Sequence, residues 1–306
     1  MSEIDWHAMK ALLKRYLPRA IRQPHGKLRR AVDVHSARTS LLACSSLRAA
    51  EKEMLRNVSL RVSMADDMYV VGPQQYLAAG LSALRCIMLV LEYLRTDPAS
   101  VRSVLDLPSG GGRVLRFLRV VFPDATLVAC DTNEALVEFC GKAFGARVTR
   151  STPDINQLHL PGSFDLIWCG SLLTHFDETR CADFLRFFYN HLSPDGVCIC
   201  STHGATAIDW LRTGEFFHEL SGLTQQTLMS QVKHRGFGYV NYDGCSDFGV
   251  SLIEHDRMIA LAEKAGQWSP AAFLENSWDN FEDVYAFTKH RVTPLINAPQ
   301  RFLAAY

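Results

Sequence analysis

Val104-Leu-Asp-Leu-Pro-Ser-Gly-Gly-Gly-Arg-Val-Leu-Arg-Phe-Leu118 is the stretch on which the fold turns. An apolar run leads into three consecutive glycines, and the first apolar positions of a helix come directly after. Glycine in such a turn lets the backbone approach a ligand closely. The loop is not a P-loop, because no Gly-Lys-Ser/Thr follows, and a dinucleotide fingerprint opened by Gly110 and Gly112 would need a glycine where Leu115 stands.

Downstream of this loop, short apolar runs alternate with helical patterns. Strands are expected at 103–107, 126–130, 164–169 and 197–201, with helices over 112–121, 133–143 and 177–192. That alternation marks βαβ units and a parallel sheet. Later come a strand at 250–253, a helix over 255–265 and a strand at 284–287. Residues 204–246 follow no clean period and contain Trp210, Phe216, Phe217, Tyr239 and Tyr242. Aromatic-rich irregular inserts either cap a ligand site or form a satellite hydrophobic cluster.

Upstream, apolar positions recur at helical spacing over 5–22 and 42–61, separated by Pro24-His25-Gly26, and a further helix is expected over 74–93. Residues 1–62 hold 13 Lys/Arg against 5 Asp/Glu, an excess of 13 − 5 = +8 in a chain whose totals balance at 32 each. The first 64 residues are therefore expected to form a basic helical extension, whose charge is either a solvated face or a surface for an anionic partner. The remaining domain is expected over 65–306.

The 306 residues suffice for two domains of about 150, or for one α/β domain with additions. Hydrophobic content of 48% and charged content of 21% exclude wholesale disorder and a coiled-coil rod. Neutrality argues against a protein that coats nucleic acid. Nine cysteines without a CxxC pair point to a reducing cytoplasmic setting. Cys198, Cys200 and His203 cluster, but no second ligand pair with zinc spacing accompanies them, so no metal is expected. The longest apolar stretch, Cys86 to Leu91, stops at Glu92, and the first residues lack a signal pattern, so neither a membrane span nor secretion is expected.

Two acids give the glycine loop its chemistry. Asp106 enters it, where a carboxylate would repel a pyrophosphate but suits a ligand carrying ammonium and sulfonium charge. Asp131 ends the next strand nineteen residues beyond Gly112, a position from which an acid grips both ribose hydroxyls. The ligand thus has the features of a positively charged nucleoside.

On these residues the chain resembles the class I S-adenosylmethionine-dependent methyltransferases, whose glycine motif is Asp-x-Gly-x-Gly-x-Gly. Asp106, Gly110 and Gly112 match, while Pro108 replaces the first glycine. The resemblance runs over about 68–290, through Pro161-Gly-Ser-Phe-Asp-Leu-Ile-Trp168 and Leu192-Ser-Pro-Asp-Gly196. It implies a doubly wound, Rossmann-like, mostly parallel seven-stranded α/β sheet with helices on both faces, and S-adenosylmethionine as cofactor. It implies cofactor contacts from Asp106, Pro108, Ser109, Gly110 and Gly112, and ribose binding at Asp131 beside Thr132. Asp154 falls near the adenine-contacting position, and Cys169 and Gly170 close the fourth strand. Tyr76 and Arg85, with Tyr69 and Gln75, lie before the sheet where this fold covers the cofactor's methionine end, and Arg85 could pair with its carboxylate or stay exposed. The stretches 163–176, 247–253 and 278–287 are similar to bacterial methyltransferases associated with glycan assembly.

Methyl transfer to a hydroxyl needs a proton acceptor. His175 in Ser171-Leu-Leu-Thr-His-Phe-Asp177 follows the fourth strand and His203 follows the fifth, both where open α/β sheets place ligands. Thr174 and Asp177 resemble a capping pair for the next helix, whose positive end would favour neutral imidazole; His175 otherwise packs as structure. Trp210, Tyr242, Asp243 and Trp278 are acceptor-side candidates because sugars stack on aromatic faces, with core packing the competing role. The expectation is O-methylation of a glycan or related metabolite, the alternatives being N-methylation of a small metabolite or peptide and a non-catalytic cofactor-binding subunit. A homo-oligomer is compatible with this reading.

Overall fold

The computed structural model describes residues 26–215 and 220–297. The helix expected over 5–22, and Phe216 and Phe217, lie outside the described residues. The chain divides into two compact units, one comprising the described residues through Arg85 with Pro98–Ser151, the other Cys86–Asp97 with the residues from Thr152 onward.

The first unit contains the glycine loop. Helices α1 (Gly26–Ala43) and α2 (Ala49–Asn57) precede the long α3 (Pro73–Tyr93), whose first part belongs here. Strand β1 (Ser103–Asp106) is followed by α4 (Leu115–Val121), β2 (Thr126–Asp131), α5 (Glu134–Phe144) and β3 (Arg147–Arg150). The three strands are parallel, with Asp106 opposite Ala129 and Ala129 opposite Val148. Val104, Leu105, Ala129 and Cys130 are fully buried, as expected of strands covered on both faces. Strand β3 escaped the sequence reading because Arg-Val-Thr-Arg is a mostly exposed edge with no apolar run.

The helix expected over 42–61 is two pieces. The Glu51 carboxyl turns back to accept the Arg48 N–H at 2.8 Å, which starts α2 afresh at Ala49. The same carboxyl meets Arg85 Nε of α3 at 2.5 Å, with both side chains about 5% exposed or less. Burial pushes the Glu51 carboxyl up, but the hydrogen bonds from Arg85 and Arg48 outweigh it and hold the acid below its ordinary range. Leu55 and Val58 are buried as well, so helices expected to belong to an accessory extension share the glycine loop's own unit.

In the second unit β4 (Phe164–Cys169) leads to α6 (Glu178–His191) and β5 (Leu192–Thr202). Helices α7 (Ala205–Thr213) and α8 (Gly222–Arg235) come next, then β6 (Phe237–Asn241), β7 (Gly249–Ile253), α9 (His255–Ala265), β8 (Ser269–Trp278), β9 (Glu282–Thr288) and β10 (Leu295–Asn297). Strands β4 and β5 are parallel, whereas β9 runs antiparallel to both β5 and β8. The main sheet has the order β10-β8-β9-β5-β4-β1-β2-β3. It is a mostly parallel Rossmann-like sheet with helices on both faces. Among the described residues it has eight strands rather than seven, because β10 adds to β8. The strand expected at 250–253 exists as β7, but it pairs with β6 in a separate two-stranded ribbon.

The stretch 204–246, expected to be irregular, is mostly ordered. Helices α7 and α8 and the ribbon pack around a core of Ala207, Leu211, Leu228, Val232, Val250 and Leu252, which Phe281 from the β8–β9 turn completes. Helix α3 is long and apolar enough to cross a membrane by composition, yet 78% of its most apolar window is buried inside the protein. Its apolarity is that of a core helix.

Replacing Arg85 with alanine takes its buried partner from the Glu51 carboxyl and leaves only the bonds from Arg48. Urea unfolding should register a loss of about 1.5–3 kcal/mol, more than an exposed arginine would give.

Candidate active site

The glycine loop is shaped by neighbours distant in sequence. The Ser109 N–H donates to Cys130 O at 2.9 Å, stitching the loop to the end of β2, and the Gly112 N–H donates to Ser109 O at 2.9 Å to close the turn. Gly112 has φ +78°, and a Cβ there would collide with the Phe144 ring. A Cβ at Gly111 would collide with the Asp66 carboxyl. One turn beyond, fully buried Arg116 donates to Gly112 O at 3.0 Å, to Ser59 O at 2.9 Å and to Tyr76 Oη at 3.1 Å. The Tyr76 hydroxyl in turn donates to Asp66 Oδ2 at 2.6 Å.

Around this loop stand three buried acids, Asp66, Asp106 and Asp131. Asp131 is half satisfied from within: Oδ2 accepts the Gly110 N–H and Oδ1 the Asn133 N–H, each at 2.9 Å. Burial raises its pKa, and those two N–H groups partly offset the rise. Asp106 is 1% exposed, and neither carboxyl oxygen has a hydrogen-bond partner. Burial pushes it well above the ordinary carboxylate range, repulsion from Asp131 pushes further, and Arg113 opposes. Such a group is stable only beside a cation or carrying a proton.

In the second unit a different centre forms past β4. The chain makes a tight turn over Leu173–His175 before α6. His175 is half-buried, with Phe248 stacked on its ring at 4.7 Å. Its Nδ1 lies 2.9 Å from Gly249 O and 3.2 Å from Tyr242 Oη. A carbonyl only accepts, so Nδ1 carries the proton and Nε2 the lone pair. Burial lowers the ring's pKa, with the Gly249 bond opposing, so the imidazole is neutral near pH 7.

Residues 104–196 match the methyltransferase domain family. A malonyl-[acyl-carrier protein] O-methyltransferase of Bacillus cereus is 29% identical over 119 residues, 39% of this chain and 43% of that enzyme. The chain thus spans less than half the length of this curated relative. The sugar N-methyltransferase KedS8 of a Streptoalloteichus species superposes with a TM-score of 0.50 at 19% identity, covering 74% of this chain and 92% of that one. Streptomyces venezuelae DesVI superposes at 0.49 and 16% identity, over 75% of this chain and 100% of that one.

The loop fits S-adenosylmethionine, the cofactor that the glycine motif implies: the orphaned Asp106 carboxyl suits a cation, and the glycines keep side chains out of the cradle. The other expected cofactor residues scatter more widely. Pro108 is half-buried at the loop's entrance, Ser109 is buried with its hydroxyl unpartnered, and Thr132 is half-buried beside Asp131. Asp154 is exposed, and its carboxyl accepts the Asn156 N–H at 3.0 Å, capping the turn 155–157. Cys169 and Gly170 are buried where β4 ends.

Several expectations need correction. Arg85 is buried rather than exposed, and its Nε meets the Glu51 carboxyl. Tyr76 is fully buried behind the loop, held between Asp66 and Arg116, rather than facing a ligand. His203 is 2% exposed, with Nδ1 3.2 Å from Ser251 O and its ring against Phe281, and so packs as a wall. Trp210 stacks on Phe281 at 4.7 Å, and Trp278, 3% exposed, meets Trp168 edge-on. Asp243 is exposed in the loop joining β6 to β7, whereas Tyr242 touches His175. Asp177 by itself caps α6, accepting the Arg180 N–H at 2.9 Å, while Thr174 is buried in the preceding turn. Burial, rather than the helix end, lowers the His175 pKa.

The sequence reading missed Asp66 and Arg116. Arg116 stands one helical turn after Gly112, a spacing that can be read from sequence; Asp66 carried no such signal.

Binding a cationic cofactor favours the Asp106 carboxylate and releases its proton. Cofactor affinity should therefore rise with pH, by up to about tenfold per unit, until the free protein's Asp106 is ionised. Calorimetry in buffers of different ionisation enthalpy reads the released proton, and Asp106→Asn should abolish the pH dependence while weakening binding.

Proposed function

We propose that this protein transfers a methyl group from S-adenosylmethionine to a hydroxyl oxygen of a glycan or related small metabolite. The observation that carries this reading is the Nδ1 contact of His175 with Gly249 O at 2.9 Å, which leaves a neutral imidazole with its lone pair on Nε2. A neutral hydroxyl acceptor loses a proton as it attacks carbon, and such a nitrogen can take it. A carboxylate acceptor has no proton to lose.

When bound, the cofactor supplies a methyl group already activated by a positively charged sulfur. The chain's own residues then bind, orient and exclude water. In this reading Asp106 takes the ammonium, Asp131 the ribose hydroxyls, and the backbone of Ser109–Gly112 lies against the cofactor. Phe248 and Tyr242 keep bulk water from His175, and Tyr242 steadies its ring. The turn after β4 and the loop after β1 both leave parallel strands at their carboxyl ends, where open sheets bind ligands. The positive surplus over residues 1–62 supports an anionic acceptor or partner, and nine free cysteines suit a reducing compartment such as the cytoplasm.

Asp131→Ala should weaken calorimetric S-adenosylmethionine binding by roughly tenfold, the cost of removing hydrogen bonds to a charged acceptor. His175→Ala should leave that affinity within about twofold and reduce turnover by about 10²–10⁴, the range for a lost general base. Turnover of the unaltered protein should fall on acidification with a midpoint below about 6.5, the ordinary imidazole value. Unchanged turnover in His175→Ala would instead favour an acceptor that needs no base.

A further inference from the structure

We propose that Glu282 is a positioning residue for the turn that carries His175, acting through the Ser201 hydroxyl on the Ser171 amide. The inference rests on the reading of His175 as proton acceptor and extends it to residues on two other strands.

The turn begins awkwardly. Ser171, two residues past the end of β4, has φ +53°, a left-handed conformation that a residue with a Cβ adopts at a cost. A strained residue persists only when its surroundings hold it. Here the Ser171 N–H donates to Ser201 Oγ of β5 at 2.8 Å, and the Ser201 hydroxyl donates to Glu282 Oε2 at 2.6 Å. Ser201 is fully buried and Glu282 is 7% exposed, at the first position of β9. The chain of bonds runs in one direction, from amide to hydroxyl to carboxyl. Donating to the carboxyl makes Ser201 Oγ a stronger acceptor for the amide behind it.

Ser171 sets the course of the turn up to His175. Its hydroxyl is 3.5 Å from Thr174 Oγ1, the Leu173 carbonyl accepts the buried Ser251 hydroxyl at 2.8 Å, and the His175 N–H donates to Leu172 O at 3.0 Å. At the far end the His175 ring is pinned by Gly249 O. The turn is therefore fastened at its end by the β6–β7 ribbon and at its start by the relay from Glu282. Burying an acid beside a serine costs free energy that an apolar pair would avoid, so packing alone does not account for this arrangement. A base must be held within about half an ångström of its working position, and a rigid turn provides that.

The test compares Glu282→Gln, Glu282→Ala and Ser201→Ala by hydrogen exchange over 170–176, cofactor calorimetry and steady-state kinetics. Glutamine keeps an oxygen for Ser201, so Glu282→Gln should stay within about threefold of the unaltered kcat. Either alanine variant should exchange 170–176 about tenfold faster, with other segments unchanged, and lose about tenfold in kcat while KM for S-adenosylmethionine holds within about twofold. The double alanine variant should be no worse than the worse single one, since both break one path. Equal damage from Glu282→Gln and Glu282→Ala, faster exchange throughout the protein, or unchanged exchange in Ser201→Ala would overturn the proposal. Should Glu282→Ala not fold, Ser201→Ala still decides. If no hydroxyl acceptor is methylated at all, the reading of His175 falls, while the exchange measurement still judges the relay.

Discussion

A buried carboxyl with nothing to bind inside the protein is an unstable arrangement, and Asp106 is that group. It ends a strand whose other residues are apolar and buried, beside a second acid, Asp131, and only Arg113 opposes the resulting rise in its pKa. Burial and the neighbouring acid favour its protonated form, and a cation beside it would favour the carboxylate. In the proposed reading, the glycines and the sharp turn after β1 let a ligand's positive charge approach that carboxyl.

The helices before the sheet contribute to this loop from behind. Arg116 reaches Ser59, Tyr76 and the Gly112 carbonyl, and Tyr76 hands on to Asp66, which packs against Gly111. Glu51 and Arg85 lock α2 to α3 by a buried ion pair. A buried network whose every member has a partner rigidifies what it touches. Arg85 and Arg116 thus direct their charges inside the protein.

The second unit follows a similar pattern at another centre. His175 is held by the Gly249 carbonyl, the Tyr242 hydroxyl and the Phe248 ring, and the strained Ser171 before it by a hydroxyl backed by a carboxyl. In both units an ordinary side chain acquires a defined protonation state or orientation from groups far away in sequence.

Local sequence determined the alternation of strands and helices from 103 to 202 apart from the exposed edge strand β3, together with the glycine turn, the acids at 106 and 131, and the placing of His175 just past a strand. Each of these is a matter of spacing along the chain, and hydrophobic period and glycine chemistry act over a few residues. Tertiary structure decided the rest. It took Arg85 for Glu51, turned His203 and Trp278 into walls, gave the stretch after β5 a core that Phe281 completes, and brought Asp66, Gly249 and Glu282 to places that their neighbours in sequence do not announce. Ion pairing, burial and hydrogen bonding between distant segments depend on which strands become neighbours, and the register between strands is set only when the whole sheet closes.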